Sequence, residues 1–144
     1  MVDAGGDLTN SIVGERMMVN AQRRGFGGFV INGAIRDLEW CRTNTFPVFA
    51  AGVTHRGPYK SGPGEVNVSI AIDGMICKPG DLVIGDEDGL VVVPYEEIDS
   101  IYEKARKKHL SEVSTFDAIG KGDRATEAQA MIKKLKAMGC EIEE

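Results

Sequence analysis

Arg36 and Asp37 stand side by side at the end of the apolar run "GGFVINGAI". In a strand, adjacent charges point to opposite faces, whereas in a loop they can converge on one ligand. An arginine offers a planar fork that grips a carboxylate through two hydrogen bonds. An aspartate is a hard oxygen ligand suited to Mg²⁺ or Mn²⁺, which take one or two protein carboxylates and fill the remaining positions with water and substrate. Two readings follow: a salt-bridged loop, or a site that holds an anion and a metal together. Glu15 precedes the pair, separated from it by residues 16–35. If its helix and the strand before Arg36 are neighbours in a βαβ unit, Glu15 and Asp37 can approach one cation. Otherwise Glu15 is a solvated carboxylate at a helix start.

The stretch "DAGGDLTNSIVGE", residues 3–15, joins a glycine turn to a helix start. Free backbone N–H groups and the helix dipole there favour a phosphate or carboxylate. An ordinary strand–helix turn is the simpler reading of the motif alone. Neither GxxxxGK[ST] nor GxGxxG is present. Other reactive residues have plainer uses. His55 lies in a glycine loop, where it is either a proton-transfer group or surface. Lys60 has nothing around it in sequence to suggest the apolar burial that activates a Schiff-base amine. Asp86, Glu87 and Asp88 suit a turn better than a calcium loop. The Lys104–Lys108 run reads as a solvated helix face. Cys41, Cys77, Cys140 and the Met17-Met18 pair read as core.

Which elements position these residues follows from periodicity. Residues 11–24 have Ile12, Val13, Met17, Met18 and Ala21 at roughly helical spacing. Thr9, Asn10 or Ser11 can cap that helix, and Gly25 stops it. "GGFVIN" then reads as a buried strand that Gly33 ends, and helix between strands implies a βαβ crossover. Residues 46–94 are strand-rich: "FPVFAAG", "VNVSIAI", "MICKP", "DLVIG" and "LVVVP" are separated by Asp73-Gly74, Pro79-Gly80-Asp81 and residues 86–89. Residues 55–65, "HRGPYKSGPGE", form a loop. Helical period returns over 95–119, with acid early and base late. A last helix is predicted over about 126–138, with Thr126 and Gln129 as a capping box and Gly139 as its stop.

The whole chain narrows the function classes. It has 144 residues, the length of one domain, with 17 basic and 22 acidic side chains for a net charge of −5. That balance argues against a general nucleic-acid binder and against attraction to an anionic membrane surface. Three cysteines without a CxxC pair suit reduced thiols in the cytoplasm. No basic-then-apolar leader or membrane-length apolar run is visible, so a cytoplasmic location is expected.

Three blocks carry a resemblance: "GGFVINGAIRD", "FPVFAAGVTHRGPYKSGPGEVNV" and "CKPGDLVIGDEDGLVVVP". Together they resemble the RraA-like family, which comprises the regulator of ribonuclease activity A and the class II 4-hydroxy-4-methyl-2-oxoglutarate aldolases. Older labels call its members dimethylmenaquinone methyltransferases. The resemblance runs from about residue 2 to about residue 110. It implies a compact α/β domain of the ββα swivelling type, related to phosphohistidine domains, with a β-rich middle and C-terminal helices. On that basis residues 1–144 are expected to form one domain. The aldolase branch is marked by an acidic residue, a gap of the length found here, and Arg-Asp. By resemblance, Asp37 binds Mg²⁺ or Mn²⁺, with Glu15 contributing through water. Arg36 contacts the 2-keto acid, and the backbone of Gly14, Glu15 and Arg16 lines its carboxylate pocket.

The implied reaction is a retro-aldol cleavage that releases pyruvate, with oxaloacetate decarboxylation as a side activity because both pass through one enolate. The implied assembly is a homotrimer, or a hexamer built from trimers. The alternative is a non-catalytic protein that binds and regulates a ribonuclease. A methyltransferase is a weaker third reading, because no glycine-rich nucleotide loop follows the first strand. Family members usually carry several dozen residues before the "VDAGGD" strand, so the chain is expected to be short at its N-terminus.

Overall fold

The computed structural model describes residues 1–119, 121–122 and 124–141. They fall into two compact units, Met1–Tyr95 and residues from Glu96 onward. The first is organised around one strand, β3 (Phe29–Ile35). The short strands β1 (Val2–Asp3) and β2 (Ser11–Val13) lie end to end along one side of it. Val2 is opposite Ile31, and Val13 is opposite Ile35. On the other side runs β4 (Val48–Val53), paired from Phe29–Val48 to Ile35–Val53 with a register shift between Ile31 and Ala34. All these pairings are parallel, so the carboxyl ends of β2, β3 and β4 meet at one edge. In open parallel sheets, ligands bind at that edge.

Helix α1 (Glu15–Arg23) is the crossover between β2 and β3. Met18 and Ala21, three residues apart on one face, are buried. They pack with Val13, Ile31, Ile35 and Phe46, and the half-buried Ile12, Phe29, Trp40, Cys41 and Val48 close the cluster. Phe46 receives Phe29 and Trp40 edge-on, with ring centroids 5.5 Å and 6.3 Å away. A short helix, α2 (Leu38–Thr43), connects β3 to the strand β4.

Two antiparallel hairpins follow. The first, β5 (Ile70–Ile72) and β6 (Met75–Cys77), turns at Asp73-Gly74. Both turn residues have positive φ, 49° and 78°, which suits a tight hairpin turn of the primed type. The second, β7 (Leu82–Gly85) and β8 (Leu90–Val93), turns over residues 86–89. Beyond Tyr95 lie two helices, α3 (Ile98–Ile119) and α4 (Arg124–Ala137). Gly139 follows α4 at φ 85°, as expected of its stop. No helix among the described residues is long and apolar enough to cross a membrane.

The structure corrects several local expectations. Strand β3 does not end at Gly33 but continues through it to Ile35, because Ala34 and Ile35 go on pairing with β2 and β4. Residues 11–13 are a strand, and the helix starts at Glu15. The Ser11 N–H bonds the Arg56 carbonyl and the Val13 carbonyl receives the Arg36 N–H, so long-range pairing overrides a helical-looking spacing. The N-cap is therefore Gly14, and not Thr9, Asn10 or Ser11. Met17 is 52% exposed whereas Met18 is fully buried, so only one of the pair is core. Of the cysteines, Cys77 is buried, Cys41 is half-buried and Cys140 is exposed. Thr126 lies inside α4, which begins at Arg124, so it does not open that helix.

Candidate active site

The carboxyl edge of the parallel sheet brings Gly14, Glu15, Arg36 and Asp37 together. The Arg36 N–H bonds the Val13 carbonyl at 3.0 Å, tying the end of β3 to the end of β2. Asp37 turns the chain out of the sheet in the left-handed region, at φ 62° and ψ 46°. Aspartate tolerates this conformation better than most side chains. Its Oδ2 accepts the Glu15 N–H at 2.8 Å, the first amide of α1. The Arg36 Nε lies 3.6 Å from that same oxygen. Both side chains of this ion pair are about two-fifths exposed, at 41% and 42%. An ion pair so exposed contributes about 0–1 kcal/mol. Asp37 Oδ1 has no hydrogen-bond partner among the described residues.

Glycine is required at position 14. A Cβ there would stand 2.6 Å from Asp37 Oδ2, 2.8 Å from Arg36 Nε and 2.9 Å from Arg36 Cγ. The arginine and the aspartate are thus laid directly on the backbone that starts α1. Glu15, Arg16 and Asp37 line one open pocket of about 620 Å³, together with Val19, Asn20 and Arg23. Arg36 is outside that lining; its Nη1 lies toward Gly57. A larger cleft, of about 760 Å³, is lined by Val2, Asp3, Val66, Cys77 and Asp81 and holds none of the candidate residues. Volume alone is therefore a poor guide here, and we take the smaller pocket as the site because the convergent charges are there.

Other expected residues fall elsewhere. In the glycine turn, the Gly5 N–H bonds Asp3 Oδ1 and the Gly6 N–H bonds the Asn32 carbonyl. That half of the expected anion nest is closed by its own chain. His55 and Lys60 are exposed. Asp86 Oδ1 accepts the Asp88 and Gly89 N–H groups, which is turn duty. No cluster of three or more His, Cys, Asp or Glu side chains suited to a metal occurs among the described residues. Sequence reasoning missed Gly57, which lies against Arg36, and Asn10 and Ser11, which bond the Gly57 and Arg56 carbonyls. Their roles depend on contacts between chain segments far apart in sequence, which no local motif signals.

Comparison with known proteins agrees with the fold. The RraA-like family, described as Aldolase/RraA, matches residues 1–92, and the chain belongs to it. A 4-hydroxy-4-methyl-2-oxoglutarate aldolase from Thermus thermophilus is 36% identical over 93 residues, 65% of this chain and 57% of that protein. A Halalkalibacterium halodurans protein, provisionally named as the same aldolase, is 36% identical over 135 residues, 94% of this chain and 63% of that one. The chain thus spans less than two-thirds of the length of either relative. Among solved structures, the RNA-processing inhibitor RraA of Thermus thermophilus superposes with a TM-score of 0.62 at 35% identity. That alignment covers 65% of this chain and 57% of the inhibitor.

Proposed function

We propose that the chain is a divalent-metal-dependent lyase that cleaves a 2-keto acid of the 4-hydroxy-4-methyl-2-oxoglutarate type and releases pyruvate, with oxaloacetate decarboxylation as a side reaction. One observation carries this reading. Asp37 has one carboxylate oxygen fixed by the Glu15 N–H beside the Arg36 guanidinium, and the other oxygen has no partner among the described residues. A lone, oriented carboxylate suits Mg²⁺ or Mn²⁺, which keep several waters and need few protein ligands. It does not suit a metal that demands a cage of His and Cys, and none is formed by the described residues.

Asp37 would hold the cation directly, and Glu15, on the same pocket wall, would reach it through water. When bound, the cation supplies Lewis-acid polarisation of the substrate keto oxygen. Arg36 binds the keto-acid end of the substrate as a charged fork. As the carbon–carbon bond breaks, the 4-hydroxyl gives its proton to water and becomes a carbonyl. The bond's electron pair moves toward the keto oxygen, where the Arg36 charge would face the developing anion, and the enolate then takes a proton at carbon to give pyruvate. The Arg16 N–H, second in α1, has no partner among the described residues and is offered to the substrate carboxylate at the positive end of the helix dipole. The test is pyruvate release from 4-hydroxy-4-methyl-2-oxoglutarate and from oxaloacetate with Mg²⁺ or Mn²⁺. Turnover that chelator abolishes and Asp37→Ala lacks is the expected result. A rate equal in wild type and Asp37→Ala would refute the proposal.

A second reading is favoured by the likeness to the RNA-processing inhibitor. A net charge of −5 suits a basic ribonuclease partner contacted as protein. Stoichiometric capture of a ribonuclease, without metal-dependent turnover, would replace the first reading. The methyltransferase reading has less support, because the glycine turn after β1 uses its N–H groups on Asp3 and Asn32. For assembly we propose a homotrimer or a hexamer built from it. Exposed Ile76, Ile84 and Val91 give the hairpins an apolar surface for subunit contact.

A further inference from the structure

The guanidinium of Arg36 is bordered by two glycines that come from different parts of the chain. Gly14 meets its Cγ and Nε, as described above. On its other end, a Cβ at Gly57 would stand 3.0 Å from Arg36 Nη1 and would meet nothing else within 4 Å. Gly57 belongs to the segment after β4, and that segment is stapled to the residues that enter β2. The Ser11 N–H and Oγ both donate to the Arg56 carbonyl, at 2.9 Å and 2.8 Å. The next carbonyl, Gly57, accepts from the Asn10 side-chain amide at 2.6 Å. Only a donor can serve there, which fixes which end of the Asn10 amide faces it. Ser11 is fully buried, so its hydroxyl is committed to this contact.

Two consecutive residues thus hold two consecutive carbonyls. The product is a wall of backbone at the end of the arginine. An unrestrained arginine loses considerable rotamer freedom when it binds an anion, and a restrained one has lost it beforehand. We propose that Asn10, Ser11 and Gly57 are positioning residues that restrain Arg36 in its anion-binding orientation. The inference rests on the lyase reading for what Arg36 binds, but the restraint itself is a property of the free protein.

Gly57→Ala is a clean probe. Its φ lies outside the left-handed region, so the backbone accepts alanine, and the added methyl meets only Arg36. Asn10→Ala and Asn10→Asp remove the donor, the second at nearly constant size. The first readout is the Arg36 Nε–H resonance of the ¹⁵N-labelled full chain, assigned by its loss in Arg36→Lys. Wild type should show it more ordered than the exposed Arg16 and Arg23. Gly57→Ala should shift it, and both Asn10 variants should make it mobile. An Arg36 as mobile as Arg16 in wild type, or unmoved by all three variants, overturns the proposal.

The second readout is pyruvate release from oxaloacetate with Mg²⁺. Gly57→Ala should raise KM on the order of tenfold, with kcat changed less. In an Arg36→Ala background it should cost nothing further. An equal loss in both backgrounds means that Gly57 acts through general structure, and overturns the proposal. If Arg36 is ordered and responds to the variants while wild type shows no turnover, the positioning role stands and the lyase reading fails.

Discussion

Asp37 Oδ2 is shared between an amide and a guanidinium, and Gly14 is the residue that lets all three groups meet. Gly14→Ala should therefore do two kinds of damage. The methyl would sit inside contact distance of two charged side chains, and overpacking of this kind costs about 1–3 kcal/mol. It should also displace Asp37, so activity should fall further than stability does. Urea denaturation beside the pyruvate assay checks both; an alanine variant of wild-type stability and activity would contradict the geometry. Thiol chemistry gives a second prediction. Burial pushes Cys41 and Cys77 above the ordinary thiol value of 9.0, whereas Cys140 is exposed. An aromatic disulfide reagent should label Cys140 first, and the other two should be labelled slowly. A raised folded-state thiol favours the protonated form. Its contribution to stability is whole below pH 9.0 and is lost as pH rises through the folded value, so alkaline titration should weaken the fold and speed labelling of Cys77.

Strands β4, β7 and β8 were legible from their apolar runs and flanking turn residues, β3 only up to Gly33, through which it continues to Ile35, and Gly25 and Gly139 correctly marked helix ends. β2 was not legible. It is three residues long, and its pairing partners, Ala34, Ile35 and Arg56, lie far along the chain. Ile12 and Val13 then join Met17, Met18 and Ala21 in a false helical stripe. α2 was hidden for a related reason, because its six residues contain no buried side chain to create a period. Within α1 the burial difference between neighbours has a measurable consequence. Met18→Ala should destabilise the chain by about 2–5 kcal/mol through a cavity against Val13 and Ile35. Met17→Ala, at an exposed position, should stay within about 0.5 kcal/mol. Equal losses in thermal or urea unfolding would mean that α1 faces the sheet differently.

At the scale of the molecule, the charge types and spacing of Glu15 and Arg36-Asp37 pointed to residues that the fold does bring together. Nothing in that pattern says that Arg36 turns toward Gly57 while Asp37 lines the α1 pocket. That division depends on the parallel order of β2, β3 and β4, which sets three loops at one edge. Ile76 is 64% exposed and Val91 58%, and the proposed assembly would cover such side chains. Sedimentation at micromolar concentration should give three or six times the protomer mass of 15.6 kDa. A single species at the protomer mass would remove the proposed assembly.

The central claim is that the adjacent charges have separate tasks, Arg36 for the substrate anion and Asp37 for the metal. Initial rates of oxaloacetate decarboxylation, titrated in both substrate and Mg²⁺, test it most directly. The expected result is that Arg36→Ala raises the half-saturating oxaloacetate concentration at least tenfold and leaves that of Mg²⁺ near wild type. Asp37→Ala should abolish the response to Mg²⁺. Two variants that lose both dependences together, or neither, would contradict the division of tasks.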